Sequence, residues 1–303
     1  MIKKILFSTA LLCSQFAMAS NLEVVHVNGD SWAIVGDKTQ RNKDNLGNNA
    51  TFGVIVTKSG VILIDAGGSY QGAKEIDEKI DEITELPVKY VINTGGQDHR
   101  WFGNDYWSQQ GAEIIASNET IIDQENRGSA QAESMKNFIS EGFDGTELYY
   151  ADRGFDDEIN IILGAKKILI RHVGAAHTPG DAFVWNPSDN VMYTGDIVYL
   201  ERMLGVGSQS NSKTWVESFE AIEAYDPKHI VPGHGSPSSL ATAQKDTYDY
   251  LVYLREKVAE LIDEGGDIMM LGDIDQSQWS YLENYDSLSG KNIQSVFEKM
   301  EWE

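Results

Sequence analysis

The sequence contains little cysteine and little proline, with one Cys and six Pro in 303 residues. Its cysteine, Cys13, lies in the N-terminal segment Met1 to Ala19, which has the features of a cleaved export signal. Loss of that segment leaves a cysteine-free protein, which excludes disulfides, thiolate metal ligands and a cysteine nucleophile. A nucleophile in the mature chain must therefore be a water, a hydroxyl or a carboxylate.

Positive charge is also scarce, with 24 Lys and Arg against 47 Asp and Glu and a formal net charge of −23. Such a surface disfavours nucleic acid and anionic membranes as partners and favours solubility. Beyond the N-terminal segment, no apolar stretch approaches the roughly 20 residues of a membrane helix. Neither nucleic acid nor, after processing, a membrane is therefore expected as a partner.

The N-terminal segment carries the three parts of a signal peptide. Lys3-Lys4 supply the charged start, Ile5 to Leu12 the apolar core, and Ala17-Met18-Ala19 an Ala-x-Ala cleavage site. These features predict a signal peptide over residues 1–19, a mature domain over residues 20–303 and a periplasmic or secreted location.

The densest cluster of reactive side chains follows a strand-like run within Val88 to Asn104. That run ends in two glycines, and then come Gln97, Asp98, His99 and Arg100 in succession. Strand ends in α/β sheets are where ligands usually bind, and glycines there allow close backbone approach. The segment therefore predicts a functional loop, although a helix N-terminus with an exposed histidine would have the same sequence features.

Three further loops present His or Asp beside glycine directly after an apolar run. They contain His177-Thr178-Pro179-Gly180, Gly195-Asp196 and Pro232-Gly233-His234-Gly235. Each alone is an ordinary turn. Together, imidazole and carboxylate side chains at successive strand ends suit zinc or iron.

The order of these motifs, each after a strand-like run, resembles the metallo-β-lactamase superfamily. The matching motifs are the opening hairpin 52–67 with Asp65, the lead-in Asn93-Thr94, the loop of His177, the Gly195-Asp196 pair and the loop of His234. The resemblance implies an α/β (α+β) fold, a four-layer αββα sandwich over residues 20–303. It also implies a hydrolase of small molecules, with His177, Asp196 and His234 as metal ligands.

The chain departs from the superfamily at the central motif, His-x-His-x-Asp-His. An ungapped alignment between the two anchors, Asn93-Thr94 and Gly103-Asn104, puts Gly95, Gln97, His99 and Arg100 at its four positions. The motif is therefore degenerate, with one histidine, shifted to a new position.

A one-residue slip would keep Asp98 and His99 as the motif's Asp-His pair. The slip needs a compensating insertion before Gly103, so the ungapped register is preferred. In either register the first metal site keeps only His177 and the shared Asp196, which excludes an ordinary binuclear centre.

The remaining donors suffice for one zinc ion at most. In the ungapped register they are His99, His177, Asp196 and His234, and in the slipped register Asp98, His99, Asp196 and His234. Arg100 disfavours a bound metal, because a guanidinium is always positively charged and cannot act as a metal ligand. It could instead bind a carboxylate, sulfonate or phosphate.

Two functions are consistent with these residues. The first is metal-assisted hydrolysis of a small ester, thioester or amide, with Asp98 or Asp196 orienting the water and Arg100 stabilising the oxyanion. The alternative is a non-catalytic protein that binds a small anionic molecule in the same cleft, with Arg100 replacing the metal's charge. An iron-dependent sulfur dioxygenase is disfavoured, because its relatives need the two motif histidines that are absent here.

Hydrophobic periodicity predicts alternating strands and helices. Strands are expected over 22–28, 31–35, 52–57, 61–65, 88–93, 113–116, 181–185 and 191–195, with others before Ile170, and helices over 71–83, 103–110, 129–141, 211–225 and 240–263.

Several segments near the motifs have two interpretations. Trp101 and Phe102 either wall a pocket or pack in the core, and the polar loop 36–50 either borders the site or is a plain surface loop. The segment 200–213, with Arg202, is a candidate rim. The acidic residues 298–303 are expected to be solvated.

Overall fold

The computed structural model describes residues 21–303, so the predicted export signal lies outside the described residues. Two β-sheets face each other and carry helices on their outer faces. The predicted four-layer αββα sandwich is confirmed.

The first sheet has seven strands in sequence order, β1 to β7. β1 to β4 are joined by antiparallel hairpins, and β4 to β7 pair in parallel because helices connect them. The strands are β1 (Glu23–Asn28), β2 (Ser31–Val35), β3 (Thr51–Thr57), β4 (Gly60–Ile64), β5 (Val88–Ile92), β6 (Glu113–Ser117) and β7 (Arg153–Phe155).

The second sheet has five strands in the order β12-β11-β10-β9-β8. Its strands are antiparallel except for the parallel pair β11 and β12. The strands are β8 (Glu158–Leu163), β9 (Lys166–His172), β10 (Ala182–Asn186), β11 (Val191–Tyr193) and β12 (His229–Val231).

The space between the sheets is filled by branched aliphatic side chains from both inner faces, such as Ile55, Ile62 and Ile92 against Ile170 and Val184. These residues alternate with outward-facing ones, as the period of two in a strand requires. This core holds both sheets in fixed register and so fixes the positions of the loops at their ends.

Helices cover both outer faces, with apolar side chains at helical spacing turned inward. The helices are α1 (Tyr70–Asp81), α2 (Asp98–Trp101), α3 (Asn104–Gln109), α4 (Asn118–Ile139), α5 (Ser212–Glu223), α6 (Leu240–Ala243), α7 (Asp249–Asp263) and α8 (Tyr285–Met300). Among residues 21–303, no helix combines the length and the apolar character needed to cross a bilayer.

The short helix α2 was not among the predicted helices, and two longer helices also differ from the sequence prediction. α4 starts at Asn118, well before the predicted residue 129, because Ser117 caps it and its first half buries polar side chains such as Thr120 and Gln124. α8 was not predicted, although Ile293, Val296 and Phe297 pack its inner face into the core. In both helices polar residues interrupt the apolar period, and tertiary contacts compensate for them.

The predicted helix 240–263 is interrupted by a π-helical turn at Gln244–Tyr248. The hydroxyl of Thr247 in this turn donates to the carbonyl of Tyr199 at 2.6 Å and accepts from the Tyr199 amide at 3.0 Å. Single π-turns often occur near functional sites. This turn fixes the backbone that follows β11, close to the candidate site.

Candidate active site

Three predicted metal ligands meet where the two sheets end at one edge. His99 lies in α2 after β5, Asp196 in the 3₁₀ turn after β11, and His234 in the loop after β12. One ligand atom from each residue lies within 4.8 Å of the other two. Nε2 of His99 is 3.3 Å from Oδ2 of Asp196, and Nε2 of His234 is 3.2 Å from Oδ1.

The donor set of these three residues fits one metal ion. All three side chains are buried, and Nε2 of His99 has no hydrogen-bond partner among the described residues. It lies close to Asp196 without the geometry of a hydrogen bond. A buried polar atom without a partner is costly, and a metal ion between two imidazoles and a carboxylate would satisfy it.

His177, the fourth predicted ligand, is not a member of this three-residue group. Its Nδ1 lies 2.8 Å from the carbonyl oxygen of Gly205, which can only accept, so Nδ1 carries the proton. Nε2 is left as a lone pair, and burial lowers the pKa of His177, so the ring is neutral at pH 7. His177 lines the same cavity as His99 and His234.

A buried carboxyl group lies beside Gly95, the residue aligned with the first motif histidine. A Cβ at Gly95 would collide with Oδ1 of Asp181. Asp181 is buried and accepts hydrogen bonds from the backbone amide of Thr178, at 2.8 Å, and from the Thr178 hydroxyl. Glycine at position 95 is therefore required by the packing of Asp181.

Burial raises the pKa of Asp181 to about 8, so this carboxyl is protonated at neutral pH in the folded protein. In the unfolded chain the same carboxyl has the ordinary aspartate pKa, near 4, and is ionised above it. Between these values only the native state holds the proton, so the stability contributed by Asp181 falls as the pH rises.

We expect Asp181→Asn to remove this pH dependence, because an amide is neutral at every pH. When the pH rises from 5.5 to 7.5, the metal-free wild type should lose about 2 kcal/mol more unfolding free energy than the metal-free variant. Urea denaturation at both pH values measures the change. Asp157→Asn, at an exposed carboxyl, is the control, and a pH-independent difference between Asp181→Asn and the wild type would contradict the assignment.

Arg100 lies beneath the cavity and is completely buried. Its Nη1 donates to Oδ2 of Asp65 at 2.8 Å, while Nη2 and Nε donate to the two oxygens of Asp196 at 2.6 and 3.1 Å. Nη2 also donates to the Gly233 carbonyl at 2.9 Å. Although burial favours the neutral acid, Arg100 holds the pKa of Asp196 well below its usual range.

Arg100 is therefore a structural cation between two carboxylates, and it is not among the residues that line the cavity. This position does not favour the predicted contact between Arg100 and a ligand or an oxyanion. Asp98, the other predicted catalytic residue, accepts a 2.9 Å hydrogen bond from Nε of Arg41 and a second bond from the same guanidinium. It faces a groove beside the cavity, where Arg41 shields it.

The cavity above the three ligands has a volume of about 180 Å³. Its wall combines three glutamines and apolar side chains such as Met203 and Leu288 with the three histidines and two arginines, Arg41 and Arg202. Arg41 comes from the polar loop 36–50 and Arg202 from the segment 200–213, so both segments border the site. Sequence analysis did not single out Arg41, since it lies in a loop without periodicity.

Arg202 and Tyr199 fix the ring of His234. Nη1 of Arg202 lies 3.1 Å from Nδ1 of His234, and the ring of Tyr199 stacks on it at 4.6 Å between centroids. Trp101 and Phe102 pack with Met135 and are core residues, not cavity walls.

The chain matches the sequence model of the metallo-beta-lactamase superfamily over residues 47–234, more than half of its length. Together with the αββα sandwich and the ligand-bearing loops at its edge, this match shows that the chain belongs to the metallo-β-lactamase superfamily.

Two relatives show how wide this similarity is. The metallo-beta-lactamase IND-1 of Chryseobacterium indologenes is 24% identical over 208 residues, which cover 63% of this chain and 79% of the relative. The linear primary-alkylsulfatase of a Pseudomonas species is 19% identical over 249 residues, 70% of this chain but about half, 47%, of the sulfatase.

Solved structures agree on the fold. The metallo-beta-lactamase from Pontibacter korlensis superposes with a TM-score of 0.62 at 20% identity, covering 76% of this chain and 99% of that one. The DIM-1 metallo-beta-lactamase superposes with a TM-score of 0.59 at 16% identity, covering 75% and 95%. At these identities the likeness shows the fold alone.

Proposed function

We propose that this protein is an exported hydrolase that holds at most one metal ion and acts on a small ester, thioester or amide. The observation that carries the proposal is the buried group of His99, Asp196 and His234 at the base of a cavity. The names of its relatives, a β-lactamase and an alkylsulfatase, support small-molecule hydrolysis. Zinc suits this donor set.

His99, Asp196 and His234 would hold the ion, which when bound would supply a Lewis acid and a water of lowered pKa. His177 is the proton acceptor in this proposal. Its Nε2 lone pair is available, because Gly205 fixes the proton on Nδ1, and its lowered pKa keeps it neutral. Arg100 keeps Asp196 ionised and oriented through two hydrogen bonds.

A metal-free binding protein is the second candidate, and one observation favours it. Arginine side chains face Nδ1 of both histidines of the ligand group, His99 and His234, at 2.7 and 3.1 Å. A histidine that binds metal through Nε2 carries its proton on Nδ1 and needs an acceptor there. In the present geometry Nδ1 of His234 faces a donor instead, whereas Nδ1 of His99 also has Oδ1 of Asp98 at 3.2 Å as an acceptor.

Metal analysis combined with hydrolysis distinguishes the two candidates. For the hydrolase we expect close to one zinc per chain in exported protein, and cleavage of p-nitrophenyl acetate or a phenyl thioacetate that chelation abolishes and zinc restores. A content near two would show that other side chains complete the first site. A content near zero without zinc-dependent cleavage would favour the binding protein.

Export is tested by the N-terminus of the mature protein. Because cleavage after Ala19 is expected from the Ala-x-Ala pattern, protein recovered from the periplasm or medium should begin at Ser20. Intact-mass measurement decides the point. Soluble protein that retains Met1 would contradict the periplasmic location.

A further inference from the structure

The unusual group in this cavity is Arg202. Its residue surface is only 5% exposed, and no carboxylate within residues 21–303 lies within ion-pair distance of it. Its Nε has no hydrogen-bond partner in the described part of the chain. Burying a charge without a counterion is costly. Arg202 therefore lacks a counterion, and the cavity beside it has room for a small anion.

The surroundings of Arg202 suit an anion. The described residues that line the cavity include a second guanidinium, Arg41, and three glutamines, but no Asp or Glu. Arg41 already pairs with Asp98, so Arg202 is the cation of this cavity that lacks a carboxylate partner, in a chain whose formal net charge is −23. Guanidinium groups bind carboxylate, sulfonate, sulfate and phosphate oxygens through paired charge-assisted hydrogen bonds.

The same two arginines contact the metal-ligand histidines. Nη2 of Arg41 lies 2.7 Å from Nδ1 of His99, and Nη1 of Arg202 lies 3.1 Å from Nδ1 of His234. A guanidinium has only donors, so Nδ1 of His234 accepts, and Nε2 of this neutral ring carries hydrogen. Nε2 of His234 cannot bind a metal in that tautomer. Nδ1 of His99 differs, because it also lies 3.2 Å from Oδ1 of Asp98, which can accept its proton.

We propose that Arg41 and Arg202 form an oxyanion-binding pair, and that an oxyanion bound there promotes metal binding by His99, Asp196 and His234. The oxyanion takes over the guanidinium donors of Arg202 and offers an acceptor for Nδ1–H of His234. The His234 ring can then present a lone pair at Nε2. The ligand class is a small molecule with a carboxylate, sulfonate, sulfate or phosphate group.

The oxyanion site stands independently of the proposed function, whereas the coupling to metal rests on it. Because coupling between two binding sites is reciprocal, a metal at the three ligands must also tighten oxyanion binding. Two separate titrations therefore test the two parts.

The first titration measures binding of inorganic sulfate to the metal-free protein by calorimetry, with sodium chloride keeping the ionic strength constant. Loss of charge-assisted hydrogen bonds in Arg202→Gln should weaken binding about ten-fold or more. Arg153→Gln removes the same charge from a half-exposed surface position and should leave affinity within about two-fold. Equal affinity in Arg202→Gln and the wild type, or no sulfate binding to the wild type, would overturn the oxyanion site.

Arg202→Lys covers the case in which the glutamine variant does not fold. It keeps the charge but loses the two-pronged donor geometry, so sulfate affinity should fall by about three-fold or more. Wild-type affinity in a folded Arg202→Lys protein would count against the paired guanidinium geometry.

The second titration follows cobalt binding by its visible spectrum, with and without saturating sulfate. In the wild type, sulfate should tighten cobalt binding by about five-fold or more. In Arg202→Gln, cobalt should bind more tightly than to the sulfate-free wild type, and sulfate should have little effect. Sulfate that leaves or weakens cobalt affinity in the wild type would refute the coupling. Absence of cobalt binding in every variant would refute the proposed function, while the sulfate titration would still decide the oxyanion site.

Discussion

Replacing Arg100 with methionine is expected to lower the free energy of unfolding by about 3–5 kcal/mol. Arg100 is completely buried and is the shared counterion of Asp65 and Asp196, to which it donates three hydrogen bonds. Methionine fills a similar volume but leaves both carboxylates buried without a counterion. Urea denaturation with a check that the m-value is unchanged measures the loss.

Arg153→Met is the matched control, since its pair with Glu113 is half-exposed and 3.9 Å long, and the expected change is below about 1 kcal/mol. Adding Asp65→Asn to Arg100→Met removes one of the two uncompensated charges and should recover part of the lost stability. An Arg100→Met protein as stable as the wild type would show that the carboxylates do not depend on this guanidinium.

Replacing His234 with alanine should abolish metal binding. His234 supplies one of three donors in the group with His99 and Asp196, and a site reduced to two donors cannot compete with water for zinc. Metal content after gel filtration, and the visible spectrum of the cobalt-loaded protein, measure the loss.

Two histidine variants serve as controls in this experiment. His229→Ala lies in β12, outside the ligand group, and should bind metal like the wild type. His177→Ala lines the cavity but should also retain the metal and lose hydrolysis, because we assign it proton transfer, not ligation. Loss of metal in His177→Ala would make it a fourth ligand, and retention in His234→Ala would remove the basis of the proposed site.

The fold and the location of the site were largely predictable, because both depend on local sequence. Alternating apolar residues predicted most strands, and glycine beside His or Asp marked the loops at their ends. Among the described residues, the structure brings His99, Asp196 and His234 together, although they are spread over more than 130 positions. Strand ends in a layered sandwich meet at one edge, and that topology makes such a prediction possible.

The helices were less completely predictable. α8 was missed, and α4 begins eleven residues before its predicted start at 129. In both, polar side chains interrupt the apolar period that sequence reading depends on. Their stability comes from contacts with distant elements, such as the hydrogen bond from Gln131 in α4 to the Gly96 carbonyl at 2.9 Å.

The sequence by itself determined the residue types available for chemistry: no cysteine among residues 20–303, a first motif without its usual histidines, and a charged Arg100 beside His99. Only the tertiary structure decided how these side chains are used. Arg100 bonds to carboxylates 35 and 96 residues away and is withdrawn from the cavity, while Arg41 and Arg202 line it. A motif fixes which groups a loop carries, but the direction of each side chain is set by partners that are distant in sequence and become neighbours only when the two sheets pack.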